Sequence, residues 1–445
     1  MSVRECITEE QIAKYTELVT PKQKLRKKGG KAVVIFMLCC FVIGLSLGVG
    51  LGFLEEKGIS ISIPVPFPVK EGLEFLYLLL LFIGLFGAMV IHTAIHEAGH
   101  LVFGLWTGYE FLSYRVFSFT IVKKDGKLMR KKVKVPGTLG QCLMMPPEWK
   151  DDAPYPFVWY NLGGGILNIV TSLLVVPLFF LNNVLLGWIA GMFIFVGVVF
   201  GISNLLPMTS GLPNDGKNCL LCKKDRMNQK AFYLQLKLNM MMSDGVTVKD
   251  VSDELLCVGQ EIELNSLTCF TRVLEYLKHL QKREEEEARQ CLSSVEEKVD
   301  NLPLAFRNSI ELERLYCMIL DKAPIEEIAA YYAVLKPILV QVKDLSFLRI
   351  RYAFHLLLTA EEQETIEWLM RSQKGKLPKR LPKRKPVVAE KIFEEMEKAY
   401  AKHPVIGEAE VYMDLAKYCK ERYESGKEAV CEVAASEEGQ ENSEQ

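Results

Sequence analysis

The chain has 445 residues, a formal net charge of −1 and 49% hydrophobic residues. Near-neutral bulk charge gives no ground for a nucleic-acid partner, and none is expected. The twelve cysteines, with Cys39 and Cys40 adjacent and the others scattered, form no extracellular disulfide framework and are read as reduced. Cys219 and Cys222 make a lone C-x-x-C with no second pair to complete a zinc site.

Apolar residues crowd into the first half and charge into the second. About thirty polar residues come first, with no small-residue cleavage site after the apolar run that follows, so no cleavable signal peptide is expected. A membrane span needs about twenty apolar residues. Lys31–Leu54 qualifies, and the Ile-Pro-Val-Pro-Phe-Pro run at 63–68 then excludes helix. Residues 75–106 form a second, longer stretch, interrupted by polar residues up to His100. In the loop at 107–156, the apolar run Phe111–Val122 and the run Lys127–Val135 flank Asp125-Gly126, which predicts a β-hairpin lying at the membrane surface. Residues 157–181 and 184–206 are the third and fourth spans, joined by an Asn182-Asn183 turn.

Basic residues set the direction. Pro21–Lys31 and Lys123–Lys134 are rich in lysine and arginine, whereas the loop at 55–73 carries only Lys57 and Lys70 against three glutamates. The positive-inside rule therefore predicts that both termini and the 107–156 loop are cytosolic. The cytoplasmic ends of the second and fourth spans then share one membrane depth.

From Lys217 onward, apolar positions at three-to-four spacing predict helices near 228–243, 247–264, 266–291, 304–321, 325–340, 345–358, 360–373, 387–402 and 406–424. They suggest stacked helical hairpins in a tetratricopeptide-like array. The Lys282–Arg289 run reads as a solvated helix face, Lys374–Lys385 as a basic linker and Glu432–Gln445 as a disordered acidic tail. The expected fold class is a polytopic α-helical membrane protein with four transmembrane helices, a short hairpin and an all-α cytosolic C-terminal domain. The expected division is a basic segment at 1–30, a membrane domain at 31–216, a helical domain at 217–431 and a tail at 432–445.

The second span contains His96-Glu97-Ala98-Gly99-His100. On a helix, His96 and His100 lie one turn apart on one face, where two imidazoles can bind one zinc ion, and Glu97 can take a proton from its water. Ionisable groups at membrane depth are costly, and usually serve a function or line a cavity. Catalytic zinc usually takes three protein ligands. His92, one turn earlier, is geometrically eligible but better suited to lining the site; Glu110 and Glu148 are the nearest downstream glutamates. Asp215 is favoured, because it follows the Gly/Pro-rich Pro207–Asn214 turn at the end of the fourth span.

With these motifs the chain resembles the site-2 protease family of intramembrane zinc metalloproteases. The resemblance rests on His96-Glu97-Ala98-Gly99-His100, on Gly164-Gly165-Ile166-Leu167-Asn168, and on Asn204-Leu-Leu-Pro207 followed by Asp215-Gly216. It implies that His96, His100 and Asp215 hold one zinc ion and that Glu97 is the catalytic acid and base. It further implies that Asn168 and Asn204 line the site and engage an unwound substrate backbone. The partners implied are a transmembrane protein substrate and the lipid bilayer, with a protein partner or self-association through the helical domain. The compact form resembles bacterial members, which implies a bacterial plasma membrane. Two departures stand out: seven residues separate Pro207 from Asp215 where the family has four, and Gly165 occupies a position where it favours proline. The competing readings are a catalytically idle membrane scaffold acting through its helical domain, and a membrane-surface zinc protease with a glutamate third ligand.

Overall fold

A computed structural model describes residues 53, 56–57, 74–124, 126–133, 138–181, 183–210, 212–256, 263–296, 298–299, 302–324, 327–328, 331–332, 335–336, 338–339, 344–358 and 389–441. The expected span Lys31–Leu54, all but Phe53 of it, and the linker Lys374–Lys385 lie outside these residues, as does the helix expected at 360–373. The chain divides into two compact units: 28–240 with 266–268, and the remainder. The divide falls near Met241, later than the boundary expected at 217.

Among the described residues, three helices of the first unit are long and apolar enough to cross a membrane. They are α1 (Glu74–Trp106), α2 (Phe157–Val175, continued by a 3₁₀ turn at Val176–Phe180) and α3 (Val184–Leu205). Asn183 caps α3 by accepting from the Leu186 N–H. Their outward faces expose Leu78, Phe82, Phe86, Leu174 and Phe195, the surface that a lipid-facing bundle presents. Small residues bring the backbones together, as packing between apolar helices requires. A Cβ on Gly99 would stand 2.6 Å from the Gly163 carbonyl carbon and the Gly164 Cα, so α1 and α2 touch there backbone to backbone.

The loop between α1 and α2 corrects the simple hairpin. It folds into a four-stranded antiparallel sheet of order β3-β2-β1-β4: β1 (Glu110–Val116), β2 (Phe119–Lys124), β3 (Lys127–Lys132) and β4 (Gly140–Met145). The expected hairpin about residues 125–126 exists as β2–β3, with Lys124 facing Lys127. The apolar run at 111–122 is not one strand, however, because the chain reverses at Phe117 (φ 54°) and Ser118 and pairs Val116 with Phe119. Continuous β propensity hides a turn that needs no glycine or proline to signal it.

After α3, the chain makes a two-stranded hairpin, β5 (Thr209–Ser210) with β6 (Leu212–Pro213), and enters α4 (Asp215–Lys224) and α5 (Arg226–Ser243). Arg226 lies 4.1 Å over the Trp149 ring and donates to the Lys150 and Ala153 carbonyls. Those bonds tie α5 to the segment that leads into α2.

The second unit is helical. After a 3₁₀ turn (Val248–Asp250), its elements are α6 (Asp253–Leu256), α7 (Ser266–Lys282), α8 (Glu285–Glu296), α9 (Leu304–Leu320), α10 (Leu345–Leu357), α11 (Ala389–Tyr400) and α12 (Ile406–Glu441). The helix expected at 266–291 breaks at Arg283, whose φ of 66° no right-handed helix accepts. The described part of 247–264 holds only the 3₁₀ turn at Val248–Asp250 and the four-residue helix α6. Helix α12 continues to Glu441, through most of the tail expected to be disordered: glutamate and alanine are good helix formers, and low hydrophobicity alone does not stop an extension of an anchored helix. Arg349 lies fully buried at the centre, 4.0 Å over the Tyr316 ring, with Nη2 donating to both Glu313 carboxylate oxygens at 2.6 Å.

Candidate metal centre

The close approach of α1 and α2 sets the site. His96 and His100 sit one turn apart on the face of α1 that meets the Gly163–Gly165 run of α2. A Cβ on Gly164 would lie 2.6 Å from His96 Cε1 and 2.8 Å from His100 Nε2, so the α2 backbone is the floor beneath both imidazoles. His100 Nδ1–H donates to the Tyr160 carbonyl at 2.7 Å. The carbonyl can only accept, so the other ring nitrogen, Nε2, keeps its lone pair for a ligand.

Asp215 arrives from the first turn of α4. Its approach depends on Asn214, which sequence reasoning did not single out. The Asn214 Oδ1 accepts from Met208 N–H at 3.0 Å and Lys217 N–H at 2.9 Å, while its Nδ2 donates to the Ser203 and Leu206 carbonyls at 2.6 Å. One side chain thus caps α4 and staples it to the end of α3. An asparagine directly before an expected ligand, at a helix start, was the available signal. The seven residues between Pro207 and Asp215 are absorbed by the β5–β6 hairpin, closed by Asn214 N–H to Met208 O at 3.1 Å. The longer gap therefore folds out locally and leaves the aspartate at the histidines.

The three donor atoms form a triangle: His96 Nε2 to His100 Nε2 3.1 Å, His96 Nε2 to Asp215 Oδ2 3.2 Å, and His100 Nε2 to Asp215 Oδ2 3.5 Å. Donors each about 2.0 Å from one tetrahedral ion are separated by roughly 3.3 Å. Asp215 Oδ2 is buried and receives no hydrogen bond, which is unusual for a carboxylate oxygen and fits a cation ligand. Two imidazoles and one carboxylate are also a donor set that zinc accepts. Burial acts to raise the Asp215 carboxyl, but positive charge on the His100 and His96 imidazoles, when they are protonated, outweighs it and holds the carboxyl well below the usual carboxylate range.

Glu97, on the same helix, is buried and within electrostatic reach of His96, His100, Asp215 and Arg115. The backbone of β4 covers it: a Cβ on Gly140 would stand 2.7 Å from Glu97 Cγ. Arg115 of β1 secures that cover, donating to Thr138 Oγ1 at 2.5 Å and to the Gly140 carbonyl at 3.2 Å.

The other candidates separate clearly. His92 is fully buried with its ring nitrogens on the Phe193 carbonyl (2.8 Å) and the Asn168 side chain (3.1 Å), away from the triangle. Asn168 lies between His92 and His96, 3.4 Å from His96 Nδ1. Asn204 turns its amide onto its own helix, donating to the Phe200 carbonyl at 3.0 Å. Glu110 is exposed at the start of β1, and Glu148 is engaged by Lys237 and Tyr233. Among the described residues one other group, Glu275, His279 and Cys291, has metal-ligand chemistry. There Arg272 already pairs with Glu275 and Glu284 with His279.

Set against protein-family models, curated proteins and solved structures, the chain matches none.

Proposed function

We propose that the chain is an intramembrane zinc metalloprotease of the site-2 protease type, cutting a peptide bond in or near a transmembrane segment of a membrane protein. The observation that carries the reading is the donor triangle of His96, His100 and Asp215 beside Glu97, within a bundle of helices long enough to span a membrane. The engagement of Glu148 and the exposure of Glu110 favour it over a glutamate-liganded surface protease. In this reading Lys31–Leu54 supplies a fourth span, both termini are cytosolic, and the helical unit, tetratricopeptide-like in design, recruits substrate or a regulator.

His96, His100 and Asp215 would hold the zinc, which supplies Lewis acidity: it polarises the scissile carbonyl and lowers the pKa of a water. Glu97 takes the proton of the attacking water on a carboxylate oxygen and returns it to the amide nitrogen of the leaving chain. Its position under β4 limits the carboxylate to a small range of rotamers. A helical peptide bond is shielded by its own hydrogen bonds, so the substrate must be extended at the cut. Strand β4 is the edge of its sheet, and its Gly140 lies against Glu97. An extended segment pairing with that edge would replace lost helical hydrogen bonds with strand bonds and pass the catalytic carboxylate.

Glu97→Gln keeps size and ligands but cannot accept the proton. The purified variant is expected to hold zinc at the wild-type ratio and to leave a co-expressed membrane substrate uncut. Cleavage at the wild-type rate by Glu97→Gln would overturn the assignment.

A further inference from the structure

Resting on the zinc reading above, we propose that Asn168 and His92 are positioning residues that hold His96 in its metal-binding tautomer, so that Asn168 serves the metal and not the substrate. Imidazole binds a metal through a lone pair, so a ligand at His96 Nε2 requires its proton on Nδ1. For His100 a backbone carbonyl enforces that arrangement, with Tyr160 O 2.7 Å from Nδ1. Among the described residues His96 has no such carbonyl. Its Nδ1 faces the Asn168 amide at 3.4 Å, a group that accepts through one end and donates through the other.

Which end faces His96 decides whether it can be a ligand. The structure sets Asn168 Oδ1 toward His92 and Nδ2 toward His96. In that orientation the amide donates to His96 Nδ1, the ring proton moves to Nε2, and the ligand atom is closed. A half-turn of the amide exchanges oxygen and nitrogen without changing shape, and only hydrogen bonding separates the two states. His92 makes the choice. Its Nε2 is 2.8 Å from the Phe193 carbonyl, so that nitrogen carries the proton and Nδ1 offers a lone pair. The lone pair takes the Asn168 N–H, and the Asn168 oxygen is left to accept from His96 Nδ1–H. Three bonds then run in one direction: His96 Nδ1–H to Asn168 Oδ1, Asn168 Nδ2–H to His92 Nδ1, and His92 Nε2–H to Phe193 O.

The chain crosses all three helices and ends on a backbone carbonyl, the one member that cannot reverse. His92 and Asn168 are both fully buried, so no water competes for these bonds. Gly197 of α3 is what lets the ring lie there, because a Cβ at that position would stand 2.6 Å from His92 Nε2.

The test is zinc affinity of the full-length protein in detergent, by competition with a chelator, beside cleavage kinetics. His92→Phe and Asn168→Leu are expected to weaken zinc roughly 10–100-fold, the usual effect of losing a partner behind a ligand. His92→Gln should restore most of the affinity, since its amide can donate to Phe193 O and accept from Asn168. Asn168→Asp, which keeps the size and the acceptor facing His96, should bind at least as tightly as wild type. Wild-type zinc affinity in His92→Phe overturns the proposal, as does Asn168→Leu with wild-type affinity and a raised KM. If the Phe and Leu variants misfold, Asn168→Asp or His92→Gln binding more than about 10-fold weaker than wild type overturns it too. Wild-type protein holding no zinc that His100→Ala loses would instead sink the protease reading itself.

Discussion

Replacing Gly164 with alanine tests whether the packing of α2 against α1 builds the metal site. The added Cβ would stand 2.6 Å from His96 Cε1, 2.7 Å from His96 Nδ1 and 2.8 Å from His100 Nε2. Carbon atoms pack at about 3.5–4.0 Å, so each contact is about 0.7 Å or more too short. Relief by moving the imidazoles displaces donors from a triangle of 3.1–3.5 Å edges by more than the roughly 0.5 Å such a site tolerates. Relief by separating the helices breaks the backbone contact at Gly99 and Gly163, at an overpacking cost of about 1–3 kcal/mol. Either route is expected to weaken zinc by at least about 10–100-fold, the size of effect seen when ligand orientation is disturbed. Gly87 is the control: it lies on α1, the helix that carries both histidines, and nothing stands within 4 Å of a Cβ added there. Gly87→Ala should bind zinc as wild type does and melt no lower. Zinc measured by elemental analysis and chelator competition, with thermal stability followed in parallel, separates the two. Gly164→Ala with zinc affinity equal to that of Gly87→Ala would refute the reasoning.

Asn214→Ala removes an N-cap worth about 0.5–2 kcal/mol together with two bonds to the end of α3; zinc affinity should fall while the apolar spans stay folded, as chelator competition and circular dichroism would show. In the helical unit, Glu313→Leu strands the buried Arg349, whose Nε and Nη1 already have no hydrogen-bond partner, and should cost about 3–5 kcal/mol. The double change Glu313→Leu with Arg349→Met removes both charges and should recover most of that loss; a denaturation cycle in which the double variant is as unstable as the single would contradict it.

Legibility followed the range of the forces involved. The apolar helix expected at 75–106 was readable to within a residue or two, because no proline or turn signal interrupts its run between Glu74 and Trp106. The His96/His100 pair was readable because helical periodicity alone places them on one face. The sheet was read only in part, since the reversal at Phe117 and the pairing of β4 with β1 are decided by partners outside either run. The same limit applied to the polar residues of the spans. Asn168 and Asn204 look alike in sequence, yet one lies between two histidines and the other bonds its own helix.

By itself the sequence determined that the chain has apolar helices long enough to cross a membrane, that one of them carries a paired-histidine motif with a glutamate beside it, and that an aspartate follows the last of them. Tertiary structure decided that the aspartate reaches the histidines, that the longer gap folds away as β5–β6, and that His92 faces Asn168 and not the donor triangle. The physical reason is that helical periodicity fixes neighbours one turn apart. The meeting of α1, α2 and α4 depends instead on where glycine lets backbones touch and on where Asn214 ties the chain.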